Sequence, residues 1–171
     1  MFMSKLVMPK VDRKLLSIKA EVVENLKKII KAENVLDHED QIRPFETDAL
    51  SAYKQKPLVV VFPENTQEVS KILAYCNQKR IKIVPRGAGT GLSGGALPLV
   101  DSILLCLSKF NKIIEIDYKN RCVVVQPGVT NLSITQAVEE KGFYYAPDPS
   151  SQIACSIGGN VAENSGGVHS L

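Results

Sequence analysis

The sequence predicts a mixed α/β fold of the α+β type, with a mixed sheet flanked by helices. Short apolar runs rich in β-branched residues indicate strands, and apolar residues at three- and four-residue spacing indicate helices. The two kinds of segment do not alternate regularly, which argues against a regular βαβ repeat. The 171 residues suit one domain with a substantial core, and no apolar run is long enough for a transmembrane helix.

The first part of the chain, residues 1–53, is expected to be a helical and extended segment ahead of the main domain. Residues 12–33 have the spacing of a helix whose apolar face is formed by Leu15, Ile18, Val22, Leu26 and Ile29. Residues 36–57 are polar and lack periodicity, so they are expected to form a loop with some short structure.

The net charge of +3 is concentrated at the N-terminus. Residues 1–33 hold eight Lys or Arg against four Asp or Glu, so they could dock on an acidic partner or membrane surface, or form a solvated helix face. We expect the solvated face, because acidic residues are mixed in, and we expect no nucleic-acid partner. Four scattered cysteines and only two histidines indicate reduced, mostly buried thiols and no metal site. The expected location is cytoplasmic, with peripheral contact to the inner membrane as an alternative.

A strand, a helix and a second strand are expected before residue 84. Residues 58–62 indicate a buried strand that ends at Pro63. Asn65, followed three residues later by Glu68, is a capping-box pattern. The helix that begins there is expected to have four apolar residues on one face, namely Val69, Ile72, Leu73 and Cys76. Residues 81–84 form the next strand.

The region after residue 98 is expected to contain three strands and a helix. The strands are expected at residues 102–107, 112–117 and 121–126. The short link between the last two is typical of a hairpin. A turn at Pro127 and Gly128 then leads to a helix with Thr130 as its N-cap and Gly142 just past its end.

A glycine-rich loop, residues 84–98 (VPRGAGTGLSGGALP), separates the second and third of these strands and contains five glycines. Its Gly89–Gly94 stretch fits Gly-x-Gly-x-x-Gly, the dinucleotide-binding fingerprint. That fingerprint requires a helix directly afterwards, and Pro98 with the strand pattern that follows leaves no room for one. A Walker A loop is excluded as well, because no lysine lies between Lys82 and Lys109.

Two interpretations of the glycine-rich loop remain. It could be a bare connector, although ordinary connections have about four to six residues and rarely need so many glycines. Alternatively, its backbone N–H groups could converge on an anion such as a pyrophosphate. Arg86 would add a permanent charge and a bidentate donor, and Thr90 and Ser93 would add hydroxyls.

Several stretches in the same order resemble one flavoprotein family. The stretch PRGAGTGLSGG is similar to the phosphate-binding loop of the oxidases named after p-cresol methylhydroxylase and vanillyl-alcohol oxidase. PLVVVFPENTQEVSKIL resembles the start of their flavin domain, VVVQPGV its central strand and turn, and YYAPDPSSQIACSIGGNVAENSGG its second flavin loop. IRPFETDALSAYKQKP is similar to the segment before that domain in the branch of bacterial glycolate oxidase D subunits and D-lactate and D-2-hydroxyglutarate dehydrogenases.

The resemblance implies that residues 54–171 are the first lobe and part of the second of a FAD-binding domain. The phosphate-binding loop would comprise Pro85, Arg86, Gly87, Ala88, Gly89, Thr90, Gly91, Leu92, Ser93, Gly94 and Gly95. The second flavin loop would contribute Pro147, Asp148, Ser150, Ser156, Gly158, Gly159, Asn160 and Ala162. Within it, Ser156–Asn160 would begin a short helix whose amides face the cofactor.

The resemblance also implies how FAD would be attached. Relatives that bind flavin covalently through this loop have a histidine where this sequence has Thr90, so non-covalent FAD is expected. His169 lies outside the loop and is expected to be a surface or packing residue.

The activity that the resemblance implies is FAD-dependent oxidation of a small 2-hydroxy acid to the 2-oxo acid. Glycolate is the favoured substrate and D-lactate or D-2-hydroxyglutarate the alternative, with partner oxidase subunits. Related enzymes continue into a second lobe and a substrate cap, so we assign no catalytic residue and expect these 171 residues to be inactive alone. A truncated, non-catalytic folded module and a nucleotide-binding regulator are the competing hypotheses. A half-domain of this kind is expected to expose the apolar surface that would pack against the missing lobe, and therefore to self-associate.

Overall fold

A four-stranded mixed sheet lies at the centre of the chain in the computed structural model, which describes residues 8–169. In the order in which they lie, its strands are β1 (Val35–Leu36), β2 (Val59–Val61), β4 (Ser102–Cys106) and β3 (Lys82–Arg86). Strands β2, β4 and β3 are parallel, and β1 pairs antiparallel with β2. A separate antiparallel hairpin consists of β5 (Ile113–Asp117) and β6 (Cys122–Val125). The expected mixed sheet with flanking helices is confirmed.

Six α-helices surround these strands within the described residues. They are α1 (Arg13–Ser17), α2 (Lys19–Ile29), α3 (Glu39–Ile42), α4 (Thr66–Lys79), α5 (Asn131–Val138) and α6 (Ile157–Glu163). Short 3-10 turns occur at Ala32–Asn34, Arg43–Phe45 and Glu139–Lys141. None of these helices is both long enough and apolar enough to cross a membrane.

The core lies on both faces of the central sheet, as expected for parallel strands. All of β2, and Ile103 and Leu104 of β4, are inaccessible to solvent. One face packs against α1, α2 and α4, and the other against the segment that includes Ile42 and Phe45.

The N-terminal helix differs from the prediction because it is interrupted at Ile18. Asp12 caps α1, and a new helix begins after Ile18, whose side chain is 37% exposed. The residues buried in the second helix are Val22, Val23 and Leu26, and Ile30, which follows it, is buried as well. Ile29 is only partly buried. The periodicity correctly indicated helix but not the break.

The N-terminal segment shares its core with the rest of the chain. Helices α1 and α2 pack in one cluster with β2 and β4, and Val35 pairs with Val61 across the sheet. The backbone N–H of Asp12 donates to Asp101, whose buried carboxylate also lies 2.7 Å from Lys82 Nζ. A boundary between residues 53 and 54 therefore stays a prediction.

Basic side chains of the N-terminal helices lie beside acidic or carbonyl groups of the chain itself. Lys19 donates to the carbonyl of Asp37 at 2.8 Å, and Lys27 lies 3.8 Å from the Asp37 carboxylate. Lys31, just after α2, pairs with Glu64 at 2.8 Å. These contacts favour a solvated helix face over a docking surface.

The predicted caps are present, with one change of partner. Asn65 Oδ1 accepts from the N–H of Glu68 at 2.9 Å, but the Glu68 carboxylate accepts from Glu64 rather than from Asn65. Thr130 caps α5, and Gly142 adopts φ +76° after the turn that follows it. Leu73 was expected in the core and is 46% exposed, because the buried face of α4 passes through Ile72 and Cys76 instead.

All four cysteines are free. Cys76, Cys106 and Cys155 are buried and Cys122 is exposed, which agrees with the expected reduced and mostly buried thiols. Burial raises the pKa of Cys76 and of Cys106 to about 12, so both remain protonated and unreactive near neutral pH.

Candidate functional site

The glycine-rich loop and α6 form two walls of a cavity of about 520 Å³, a size typical of small-molecule sites. The loop leaves the end of β3 and returns to the sheet at β4 through turns and bends only, as the proline and strand pattern predicted. The opposite wall contains the Pro127 turn, residues 149–156 and α6.

The loop has a run of backbone donors that the chain does not use. Within residues 8–169, none of the N–H groups from Gly87 to Ala96 donates a hydrogen bond. Unpaired amides on a loop that lines a cavity can bind an anion, because each is a donor with partial positive charge. This is the chemistry that the sequence suggested for the loop.

Two loop positions require glycine for their backbone conformation. Gly89 and Gly94 have φ values of +73° and +78°. At Gly89 space is also lacking, because a Cβ atom there would lie 2.2 Å from Arg86 Nη2. The loop can therefore turn back over the Arg86 side chain only with glycine at this position.

Arg86 connects the glycine-rich loop to an earlier segment of the chain through its guanidinium group. Its Nη1 donates to the carbonyl of Thr47 at 2.8 Å and approaches the carbonyl of Ala96 at 3.5 Å. The guanidinium also lies over the ring of Phe45, 5.8 Å from its centroid. These contacts join the loop to residues 45–47 through Nη1 and the ring of Phe45, and the expected contact of Arg86 with an anion stays a prediction.

Two glycines allow close packing around the cavity, one between the two walls and one within the opposite wall. A Cβ at Gly87 would lie 2.2 Å from Ser156 Oγ, and one at Gly158 would lie 2.6 Å from Pro127 Cβ. Gly87 and Gly158 therefore bring the loop, the Pro127 turn and the start of α6 together.

Helix α6 begins where the sequence predicted, but its first amides are already engaged. The N–H of Ile157 donates to Val129 and that of Gly158 to Pro127, each at 2.8 Å. The N–H groups of Gly159 and Asn160 donate to Ser156. The chain itself satisfies these amides, while Gly158, Gly159 and Asn160 line the cavity, so their contact with a cofactor stays a prediction.

A buried asparagine pair fixes the position of α6. Asn160 donates from Nδ2 to Asn131 Oδ1, and Asn131 donates from its own Nδ2 to the carbonyl of Pro147 at 2.7 Å. Both side chains are almost inaccessible to solvent. The pair joins α6 to α5 and to the loop at Pro147, which the sequence did not indicate.

Asp148 holds the chain after α6 rather than facing the cavity. It accepts from the backbone N–H of His169 at 3.0 Å, and its Oδ2 lies 2.7 Å from the His169 ring. These hydrogen bonds keep the pKa of Asp148 below its usual value. His169 is exposed, as expected for a surface residue.

One acidic side chain lines the cavity among the described residues. Glu163, the last residue of α6, accepts a hydrogen bond from the Ser93 hydroxyl at 3.1 Å. Its Oε1 lies 3.0 Å from where a Cβ on Gly95 would be. The carboxylate is thus placed directly against the glycine-rich loop.

Most of the predicted site residues line the same cavity, and four do not. Those that line it are Pro85, Arg86, Gly87, Ala88, Gly89, Thr90, Gly91, Leu92, Gly95, Ser150, Ser156, Gly158, Gly159, Asn160 and Ala162. Ser93, Gly94, Pro147 and Asp148 lie outside it. The lining residues that sequence reasoning missed are Ala96, Leu107, Pro127, Pro149, Ser151, Cys155, Glu163 and Ser165. Pro127 lay in a predicted turn and Pro149 in the predicted second flavin loop, but no local pattern indicated that these two segments line the same cavity.

Comparison with known proteins places this geometry in a family. Residues 57–171 match the FAD binding domain family. The chain is 51% identical to the glycolate oxidase subunit GlcD of Escherichia coli K12, over 96% of this chain and 32% of that protein. It is 43% identical to GlcD of Bacillus subtilis, over 90% of this chain and 33% of that protein. The chain thus spans about a third of the length of these curated relatives.

The fold also matches that of a protein of known structure. The structure of p-cresol methylhydroxylase with bound substrate superposes on this chain with a TM-score of 0.72, at 24% identity. The superposition covers 91% of this chain and 31% of the enzyme. The family match over residues 57–171 shows that the chain belongs to the FAD binding domain family, and the superposition shows the shared fold.

Proposed function

We propose that this chain is the pyrophosphate-holding part of a FAD-dependent 2-hydroxy-acid oxidoreductase. The observation on which the proposal depends most is the run of unpaired amides from Gly87 to Ala96, most of which belong to residues that line one wall of the cavity. The similarity to GlcD over nearly all of this chain supports the same interpretation of the loop.

The residues present fit the diphosphate of FAD. The unpaired amides supply donors, and Gly91 leaves the loop surface beside Glu163 free of side-chain bulk. Gly87 to Gly95 would hold the two phosphates, chiefly through backbone N–H groups. The opposite wall, from Ser150 to Asn160, would contact the rest of the cofactor through small side chains. Bound FAD would supply the hydride acceptor.

Thr90 supports a non-covalent attachment. A threonine hydroxyl cannot form the bond that a histidine at this position makes to flavin in some relatives, and Thr90 lines the cavity. FAD would therefore be held by hydrogen bonds and packing alone.

Glycolate is the substrate that we propose for the whole protein. Both GlcD proteins described above are glycolate oxidase subunits, and the identity of 51% is spread over most of this chain. Partner oxidase subunits are proposed on the same ground. D-Lactate is the second candidate, because the segment before the domain resembles that branch too. We assign no catalytic base to residues 8–169, and the free cysteines agree with a cytoplasmic location.

A FAD titration of the purified chain tests the proposal. FAD should lose fluorescence on binding and raise the melting temperature, since a ligand that binds only the folded state stabilises it by RT ln(1 + [L]/Kd). Inorganic pyrophosphate should compete with FAD. Riboflavin, which has the same ring system without the diphosphate, is the matched control and should bind far more weakly. An unchanged melting temperature at high FAD would contradict the proposal and favour a folded module without cofactor.

A further inference from the structure

A carboxylate that lines the cavity lies against the glycine-rich loop. Glu163 Oε2 accepts from Ser93 Oγ at 3.1 Å, in a contact between residues 70 positions apart in the chain. Its Oε1 lies 3.7 Å from where a Cβ on Gly91 would be, and still closer to the same point on Gly95. The carboxylate therefore spans the loop from Gly91 to Gly95.

The charge of Glu163 has the same sign as a diphosphate. The only cation that lines the cavity in the described part of the chain is Arg86, and its Nη1 already donates to Thr47. Two unit charges of like sign about 4 Å apart repel each other enough, even in water, to change a binding constant about fivefold. A bound diphosphate would therefore either tolerate this repulsion or displace the Glu163 side chain.

The contact is built so that it can open without disrupting the site. The Ser93–Glu163 hydrogen bond is exposed, and both residues are exposed to solvent. The walls of the cavity are held elsewhere, by the close packing of Gly87 on Ser156 and by the buried pair of Asn131 and Asn160. Opening the contact would cost little, because an exposed hydrogen bond is readily replaced by water.

We propose that Glu163 and Ser93 form a latch, which closes the glycine-rich loop onto α6 in the cofactor-free chain and which a diphosphate must open. The inference rests on the proposed function, since it assumes that the loop binds the diphosphate of FAD. Glu163 then acts as an internal competitor that lowers the affinity for every phosphate ligand of the loop. It also makes loop closure and anion occupancy mutually exclusive.

The first test removes the charge of Glu163 and keeps its shape. FAD and inorganic pyrophosphate are titrated into the full chain and into Glu163→Gln. Both ligands should bind Glu163→Gln about fivefold more tightly, and the gain should shrink in about 1 M salt because ions screen exposed charges. Glu140→Gln is the matched control, since Glu140 is an exposed carboxylate that does not line this cavity. Its affinities should equal those of the wild type.

The second test separates the latch from a direct role of Ser93 in binding. Ser93→Ala is made in the wild type and in Glu163→Ala, and the pyrophosphate affinity of all four proteins is compared. A phosphate contact from Ser93 would be lost equally in both backgrounds. The latch predicts that Ser93→Ala is more favourable for binding in the wild type than in Glu163→Ala. Equal effects in the two backgrounds would overturn the latch.

The outcomes distinguish this inference from the proposed function. If the wild type binds FAD and Glu163→Gln binds it equally well, the latch is wrong and the proposed function stands. If neither protein binds FAD or pyrophosphate at any salt concentration, the proposed function is wrong and the latch is rejected with it. If only Glu163→Gln binds, both are supported. Circular dichroism melting of each variant establishes that it is folded before titration, and Glu163→Ala replaces any Gln variant that is not.

Discussion

At the scale of single residues, Gly89 is the position where the glycine-rich loop tolerates a side chain least. Its φ of +73° disfavours any other residue, and a Cβ would lie 2.2 Å from the Arg86 guanidinium. We expect Gly89→Ala to lower the free energy of unfolding by more than the roughly 1–2 kcal/mol of a left-handed backbone alone. Because Arg86 would have to move, FAD affinity should fall at least tenfold. Urea unfolding and FAD titration measure the two effects.

Gly142 offers a matched control for this substitution. Its φ is +76°, nearly that of Gly89, but no atom lies within 4 Å of where its Cβ would be. Gly142→Ala should therefore lose only the backbone contribution and leave FAD affinity unchanged. Equal losses of stability in the two variants would show that the contact with Arg86 is unimportant.

The second prediction at this scale concerns Thr90 and is that the flavin is bound non-covalently. Because a threonine hydroxyl forms no bond to the flavin ring, acid precipitation of the FAD-loaded chain should release all of the flavin into the supernatant. An absorbance scan of the redissolved pellet measures what remains. A yellow pellet would contradict the prediction and would require a different residue as the point of attachment.

The sequence was enough to predict the conformation of the loop in outline, but not the contacts that its side chains make. The spacing of the glycines and the position of Pro98 are enough on their own to exclude the dinucleotide fingerprint. The sequence also indicated Arg86, but as a ligand of the anion. Its contacts with Thr47 and Phe45 depend on a segment some forty residues earlier, which local patterns do not reveal.

At the scale of elements, the Asn131–Asn160 pair sets the position of α6 and therefore of one cavity wall. Asn131→Ala would leave the Asn160 amide buried without its partner, at a cost of roughly 1–3 kcal/mol of unfolding free energy. Asn160→Ala should cost a similar amount. Because the two side chains satisfy each other, the double variant should lose less than the sum of the two single losses. Strictly additive losses in urea unfolding would show that the pair is not coupled.

The positions of the helices and strands followed from periodicity and capping patterns. The features that the sequence did not reveal are hydrogen bonds to residues far away in the chain. Helix α6 begins at the predicted residue, yet its first amides are satisfied by Val129 and Pro127, which approach from a distant turn. Asp12 likewise caps α1 as a local residue, while its backbone N–H donates to Asp101, 89 positions further along the chain. Local sequence indicates where an element starts, but tertiary hydrogen bonds decide which of its groups remain free.

At the scale of the whole molecule, Glu64 joins three parts of the chain and makes stability depend on pH. Its carboxylate lies 2.8 Å from Lys31 after α2 and accepts from Asn34 at 3.0 Å. Lys109, which follows β4, lies 3.3 Å away. These hydrogen bonds, that of Lys31 first, lower the pKa of Glu64 from 4.5 to about 2.

The direction of the pH effect follows from the lowered pKa. The unfolded chain binds a proton at Glu64 before the folded chain does, so the stabilisation is complete above about pH 4.5 and is lost as the pH falls towards 2. The urea midpoint of Glu64→Gln should therefore fall less than that of the wild type as the pH is lowered through this range. Glu33→Gln, at an exposed carboxylate without a salt bridge in the described residues, is the control and should keep the wild-type slope. Identical slopes for all three proteins would contradict the role of Glu64.

The distribution of apolar surface gives the last prediction at this scale, that the chain self-associates. Ile153, Val161 and Val168 are each more than 70% exposed, and all three lie in or next to α6 within 16 residues of the chain. A soluble monomer seldom exposes so many large apolar side chains in one segment, because their burial is favourable by about 25 cal/mol per Å². Sedimentation velocity should show a mass that rises with protein concentration. Replacing Ile153 and Val161 together by serine should shift the chain towards monomer, whereas Leu73→Ser, at a partly exposed leucine on α4, should not. A monomer at every concentration would mean that these side chains drive no association.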